Sequence, residues 1–216
     1  MKHRNFGDTP VKLSGDMVVA LAALVLFASL AYAVMQGEAV AFDTAIRNAV
    51  HASSFPALTY AMRGISDLGE AVFLVVLGAI IGWRLVSVGR RRQAVFFVIA
   101  TLGSEVVDQA LKLWIERPRP EAFFGTEPSG YSFPSGHALV SCCFYLAVAQ
   151  ILVEDQWPRA RKLAVWTFAV LLTCLIGLSR VYLGVHYPTD VLGGYAAAVA
   201  WLAIVRTGHT VRSRKV

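Results

Sequence analysis

The sequence predicts an all-α, polytopic membrane protein with six transmembrane helices and a short amphipathic segment between the first and second. Three observations carry that prediction. Of 216 residues, 56% are hydrophobic and 16% charged, with a mean hydropathy of +0.58, whereas soluble domains carry about 25% charged residues. The apolar residues are gathered into runs close to the ~20 residues that a helix needs to span the hydrocarbon core. Lysine and arginine are spread unevenly over the segments that join those runs. At this length one domain, residues 1–216, is expected.

Residues 1–16 are polar and basic, with Lys2, Arg4 and Lys12, and residues 17–35 form the first apolar run. Ala31-Tyr32-Ala33 also fits a signal-peptide cleavage site, but the run is long for a signal core and the later spans need partners. Residues 37–69 are mixed. Phe42, Ile46 and Val50 recur every fourth residue, which predicts a short amphipathic helix, and Pro56 and Gly64 interrupt the remainder of the segment. This segment fits either a helix lying on the bilayer or an ordinary loop helix packed on the protein. The second span covers 71–88 and is closed by Gly89-Arg90-Arg91-Arg92.

The third span, 94–113, is less apolar. Thr101, Glu105, Asp108 and Lys112 share one helical face, and a polar stripe on a spanning helix faces the bundle interior or a wet cavity. Asp108 lies one turn, roughly 6 Å, from Lys112 and can pair with it. Whether Glu105 and Asp108 serve a site or only a structural hydrogen-bonding face stays open. Residues 116–133 form a loop rich in Pro and Gly. The remaining spans cover 137–153, 163–178 and 189–205, the last with Gly193-Gly194 and many alanines that permit close helix packing. The tail, 206–216, is basic and expected to be mobile. Cys142, Cys143 and Cys174 all lie in apolar runs. Their number is odd and their spacing fits no zinc site, so they read as small buried hydrophobes.

Four segments (the N-terminus, 84–92, 159–162 and the tail) hold 3, 4, 3 and 4 of the 20 Lys and Arg residues. Six spans put all four on one side, and the positive-inside rule makes that side cytoplasmic. Both termini are therefore expected in the cytoplasm. The net charge of +6 is then a topology signal and does not mark a nucleic-acid partner. The other face holds Arg47, Arg63, Lys112, Arg117, Arg119 and Arg180, and on that same face fall three polar clusters at span ends.

The clusters are Lys112 to Pro120 (K-L-W-I-E-R-P-R-P), Tyr131 to His137 (Y-S-F-P-S-G-H) and Gly177 to Asp190 (G-L-S-R-V-Y-L-G-V-H-Y-P-T-D). Singly, each has a plain explanation: a snorkelling cation, a polar histidine, a turn, a helix N-terminal charge. Together they suit phosphoryl transfer without metal. That reaction needs several fixed cations or backbone donors around the phosphate oxygens, a nucleophile and an acid. The barrier is high, since enzymatic accelerations of phosphate monoester hydrolysis reach about 10²¹. Lys112, Arg119 and Arg180 supply cations, and Arg offers a planar fork to phosphate. Ser135 and Gly136 open a helix whose N-terminus can bind an anion. His137 is placed as general acid, and then as base for water. His186 is placed as nucleophile, with Asp190 four residues on to fix its tautomer and stabilise the cation that forms.

These residues resemble the type-2 phosphatidic acid phosphatase superfamily. Lys112, Arg119 and Pro120 fit its K-x6-R-P motif, Pro134 to His137 its P-S-G-H, and Ser179, Arg180, His186 and Asp190 its S-R-x5-H-x3-D. All defining positions match in order, while the first 111 residues carry no motif. The resemblance implies a metal-independent phosphatase without a cofactor and with a phospho-histidine intermediate. Lys112, Arg119, Ser135, Gly136, His137 and Arg180 would hold the phosphate. It also implies a six-helix bundle in the plasma (inner) membrane with its site at the extracytoplasmic boundary. The implied partners are the bilayer and a phosphorylated lipid. Undecaprenyl diphosphate is favoured, with phosphatidic acid, phosphatidylglycerol phosphate and a lipid A phosphate as alternatives. Two other classes stay open: a lipid or phosphate transporter or flippase with Glu105 and Asp108 lining its path, and an inactive relative that binds phospholipid. No residue pattern sets an oligomeric state.

Overall fold

The computed structural model describes residues 15–125 and 129–213. Among them the regular structure is helical: α1 (Gly15–Met35), α2 (Val40–Ala52), α3 (Pro56–Asp67), α4 (Ala71–Ser87), α5 (Arg91–Ile115), α6 (Gly136–Leu152), α7 (Arg159–Tyr182) and α8 (Pro188–Ser213). Four of these (α1, α5, α7 and α8) are long and apolar enough to cross a membrane, and α3 with α4, bent by 45° at their junction, makes up to five. The apolar α6 has 17 residues. Large apolar side chains such as Val25, Val72, Leu102 and Phe168 point outward, as they do on a surface that meets hydrocarbon. The protein is a multi-pass membrane protein.

At the centre stands α6, packed against α5, α7 and α8, with Ala138, Leu139, Cys142, Cys143 and Ala147 buried. A glycine of α8 allows one of these approaches. A Cβ on Gly194 would lie 2.8 Å from the Ser135 carbonyl oxygen, so only glycine fits where α8 meets the start of α6. Along α1, Ala20, Ala23, Phe27 and Ala31 form the buried face, spaced by three and four residues as a helical stripe requires, and this helix lies on α8.

Several expectations need correction. The tail, expected to lie outside the last helix, continues α8 to Ser213, and Arg206 pairs with Asp16 at 3.5 Å. The basic residues Lys2, Arg4, Lys12, Arg214 and Lys215 lie outside the described residues. Cys142 and Cys143 are buried but Cys174 is exposed, because with Leu171, Leu175 and Leu178 it lies on the outward stripe of α7. In the 37–69 segment Pro56 opens α3, as its fixed φ and missing N–H allow at a first helical position, and Gly64 lies within that helix. On α2, Phe42 is exposed while Asp43 is completely buried, because a guanidinium and a threonine from elsewhere in the fold meet that carboxylate.

These helices bring the three polar clusters to one end of the bundle. Lys112 sits in the last turn of α5, Gly136 starts α6, Arg180 is in the last turn of α7 and Asp190 in the first turn of α8. Both α2 and α3 pack at the same end, the former against α7 and α8 and the latter against α7.

Candidate active site

His186 lies in the short link between α7 and α8 and is only 2% exposed. Its Nδ1 is 3.3 Å from Asp190 Oδ2, and its Nε2 is 3.1 Å from Arg119 Nη1. A guanidinium has no acceptor, so Nε2 accepts from Arg119 and the ring proton sits on Nδ1, where it is donated to Asp190. The nitrogen left with a lone pair is the one beside the cations. Burial pushes the imidazole down to about 4, against the pull of the Asp190 carboxylate, so at neutral pH it is an uncharged base. Asp190 is itself fixed by the helix start. Its Oδ2 accepts the Tyr187 N–H at 2.9 Å, the reach-back of a residue in the first turn toward the residue before the helix.

A pocket of about 160 Å³ in front of this couple is lined by Lys112, Arg119, Gly136, His137, Arg180 and His186, together with Glu70 and Asp108. Each cation is tethered. Lys112 Nζ donates to Asp108 Oδ2 at 2.5 Å, the pairing that their spacing on α5 anticipates. Arg180 Nη1 donates to Ser66 Oγ at 2.5 Å. Arg119 Nε reaches the Gly130 carbonyl at 3.1 Å and its Nη1 the Val185 carbonyl at 3.2 Å. Burial lowers the Arg119 guanidinium from its ordinary value, with the Asp190 and Asp108 charges acting the other way.

Ser135 is fully buried and its side chain makes no capping bond to α6, while its backbone N–H donates to the Asp190 carbonyl at 2.9 Å. Among the described residues, the buried side-chain polar atoms without a hydrogen-bond partner include Ser135 Oγ, His137 Nε2, Arg180 Nε and Asp108 Oδ1. Such atoms are costly in a finished interior, and all four belong to residues in or directly behind this pocket, although His137 Nε2 has a carboxylate at ion-pair distance. The Glu70 carboxylate stands 3.2 Å from His137 Nε2, within ion-pair range of the ring. All eight residues singled out in the sequence are thus brought together: six line the pocket, and Ser135 and Asp190 stand behind it. Of the two open carboxylates, Asp108 is used by Lys112. Glu105 is exposed, accepts from Gln109 at 2.9 Å and sits at the pocket's edge.

Sequence reasoning missed Asp43, Ser66, Glu70 and Arg117. Arg117 Nη1 donates to Asp190 Oδ1 at 2.6 Å and its Nη2 to Asp43 Oδ2 at 2.7 Å. A usable signal existed for Arg117, one of the six basic residues on that face. Asp43, Ser66 and Glu70 lie outside every motif. Three cations, two imidazoles and a helix N-terminus around one small pocket can bind a tetrahedral oxyanion and attack it.

Fold and site together define a multi-pass membrane enzyme of the phosphatase class. The chain belongs to the PAP2 superfamily, whose sequence pattern matches residues 93–214. It is 34% identical over 181 residues to phosphatidylglycerophosphatase B of Bacillus subtilis, covering 83% of this chain and 89% of that protein. It is 25% identical over 172 residues to undecaprenyl-diphosphatase of Sulfolobus acidocaldarius, covering 77% of each. The crystal structure of the transmembrane PAP2-type phosphatidylglycerolphosphate phosphatase of Bacillus subtilis superposes with a TM-score of 0.84 at 32% identity, over 90% of this chain and 98% of that one.

Proposed function

We propose that this protein hydrolyses a lipid phosphate or diphosphate at the extracytoplasmic boundary of the membrane through a phospho-histidine intermediate. The observation that carries the reading is the setting of His186, with Nδ1 3.3 Å from Asp190 Oδ2 and Nε2 3.1 Å from Arg119 Nη1, which assigns the ring proton to Nδ1. Nδ1–H faces Asp190 and the Nε2 lone pair faces the cationic pocket. Nε2 attacks phosphorus, a P–N bond forms and the P–O bond to the lipid breaks. The leaving oxygen takes a proton from His137. Water then attacks phosphorus and gives a proton back to His137, the P–N bond breaks and inorganic phosphate leaves. Lys112, Arg119, Arg180, Ser135 and the Gly136 end of α6 hold the phosphoryl oxygens throughout. The six spans are α1, the α3–α4 pair, α5, α6, α7 and α8, within a single membrane-embedded domain. The positive-inside count puts both termini in the cytoplasm and the pocket outside.

A lipid substrate is supported by an apolar groove of about 540 Å³ between α4, α5 and α6, lined by Leu74, Val75, Gly78, Phe97, Leu102 and Phe144 among others. It shares Ala71, Leu74, Glu105 and Val140 with the phosphate pocket, so a chain lying in it would deliver its headgroup to His186. The relatives' names point to phosphatidylglycerol phosphate and to undecaprenyl diphosphate, and the higher identity favours the former over the isoprenoid that the sequence suggested. Transport fits less well, because the charges gather at one end of the bundle and transporters keep theirs near the midplane.

The deciding experiment is phosphate release by the purified protein in detergent with excess chelator. It compares phosphatidylglycerol phosphate, undecaprenyl diphosphate, phosphatidic acid and a water-soluble phosphate ester, beside His186→Ala. Chelator-resistant release that His186→Ala lacks is expected. Turnover retained by His186→Ala overturns the mechanism.

A further inference from the structure

Asp190, the partner of the proposed nucleophile, shares a single guanidinium with a second buried carboxylate. Arg117 forks between them: Nη1 goes to Asp190 Oδ1 at 2.6 Å and Nη2 to Asp43 Oδ2 at 2.7 Å. Both carboxylates are 0% exposed at the side chain and the Arg117 side chain 10%. Thr189 closes the bracket. Its N–H donates to Asp43 Oδ1 at 2.9 Å and its hydroxyl to Asp43 Oδ2 at 2.6 Å, while the same hydroxyl accepts from Arg117 Nη1 at 2.8 Å. The Tyr187 ring covers the guanidinium at 4.0 Å. This is a built, desolvated network, and Asp43 comes from α2, outside the matched family region.

Within this bracket, leaving aside Arg119 on the far side of His186, the charges do not balance at rest. Two carboxylates face one guanidinium while His186 is neutral. The second positive charge appears when Nε2 of His186 is phosphorylated and the ring becomes cationic. If Arg117 belonged to Asp190 alone, that carboxylate would be neutralised and would stabilise the ring cation poorly. Asp43 draws off half of the fork and leaves Asp190 anionic toward His186.

We propose that Asp43 and Arg117 are a positioning pair that fixes the orientation and the effective charge of Asp190, and through it the basicity of His186. The proposal rests on the phospho-histidine reading above. The charged and titratable groups facing His186 are Asp190 from α8, Arg119 from the 116–133 loop, Arg180 from α7 and His137 from α6, with Lys112, Asp108 and Glu105 of α5 and Glu70 on the same pocket and Arg117 and Asp43 behind Asp190.

The test uses the full chain in detergent with dioctanoyl phosphatidic acid, and reads kcat, KM and the pH profile of kcat/KM. In Asp43→Asn the whole guanidinium charge falls on Asp190, the imidazolium is less favoured, and the acid limb moves to lower pH. In the double variant Asp43→Asn, Arg117→Gln no cation competes for Asp190, and the acid limb moves to higher pH. The double variant removes the Asp43–Arg117 ion pair whole, and Asp190 keeps His186 Nδ1 and the Tyr187 N–H as partners. In each, kcat falls roughly tenfold to a hundredfold, the usual cost of losing a group that orients a reacting side chain, with KM nearly unchanged. A pair that merely tethers α2 would lower activity without moving the limb, and unmoved limbs in both variants overturn the proposal. If Asp43→Asn does not fold, the double variant decides alone. If neither folds, Asp43 is a folding device and the proposal falls. His186→Ala, run in parallel, separates the two ideas: turnover there removes the phospho-histidine reading itself, whereas an inactive His186→Ala with unmoved limbs removes only the positioning pair.

Discussion

Gly136 and Lys112 meet so closely that a Cβ on the glycine would lie 2.9 Å from the lysine Nζ and equally close to Asp108 Oδ2. The first residue of α6 is bare because the ammonium of α5 occupies the space. Gly136→Ala is therefore expected to fold, since the end of a lysine can move aside, but to push Lys112 off its position. A misplacement of about 1 Å in an active site can cost a hundredfold. Steady-state kinetics should show kcat/KM reduced roughly tenfold to a hundredfold with the melting temperature little changed.

Stability should fall on the acid side because of His186. Its folded pKa of about 4 lies below the ordinary 6.5. Between these values the unfolded chain binds the proton and the folded protein does not. The contribution is fully present above pH 6.5 and is lost as pH falls through 4, about 3 kcal/mol in all. Melting temperatures in detergent from pH 7 to 4 should drop more steeply for the parent than for His186→Gln. Parallel curves would contradict a buried neutral imidazole.

Ser66 tests how Arg180 is held. Its hydroxyl is the partner of Arg180 Nη1, and a hydrogen bond to a charged group contributes about 1.5–3 kcal/mol. Ser66→Ala should loosen the guanidinium and weaken inhibition by inorganic phosphate by roughly tenfold or more. An unchanged inhibition constant would remove Ser66 from the site.

The groove is tested by filling it. Gly78 faces Phe144, with a Cβ there 3.4 Å from the ring, so Gly78→Leu should crowd the space without touching the phosphate pocket. Hydrolysis of a long-chain lipid phosphate is expected to fall at least tenfold, while a water-soluble ester is turned over at near the parent rate. Equal losses on both would mean that the helices, and not the lipid chain, feel the change.

The gathering of polar residues at the span ends was legible because Lys112, Arg119, His137, Arg180, His186 and Asp190 are costly residues beside apolar runs, and their spacing puts them at one end of any antiparallel bundle. Hydropathy found the long helices but set the ends of α5, α7 and α8 early. α8 runs on through Arg206, because a basic helical turn beyond the hydrocarbon still gains from its backbone bonds and from Asp16. In the 37–69 segment the expected short helix is present as α2, with Val50 packed on the core, but its inward face was only partly read. Its fourfold apolar spacing pointed to Phe42, Ile46 and Val50, whereas the decisive residue is Asp43, whose burial depends on Arg117 and Thr189, 74 and 146 positions away. A pairing over that distance leaves no local pattern to read.

That long-range bracket bears on how such enzymes can be recombined. A chimera that kept residues 93–214, with all three motifs intact, and took its leading helices from another protein would look complete by every motif. It would nonetheless leave Arg117 with one carboxylate too few, Arg180 without its hydroxyl and His137 without Glu70. The leading helices cannot be exchanged as a mere membrane anchor, and any graft has to carry Asp43, Ser66 and Glu70 in register with the half that bears the motifs.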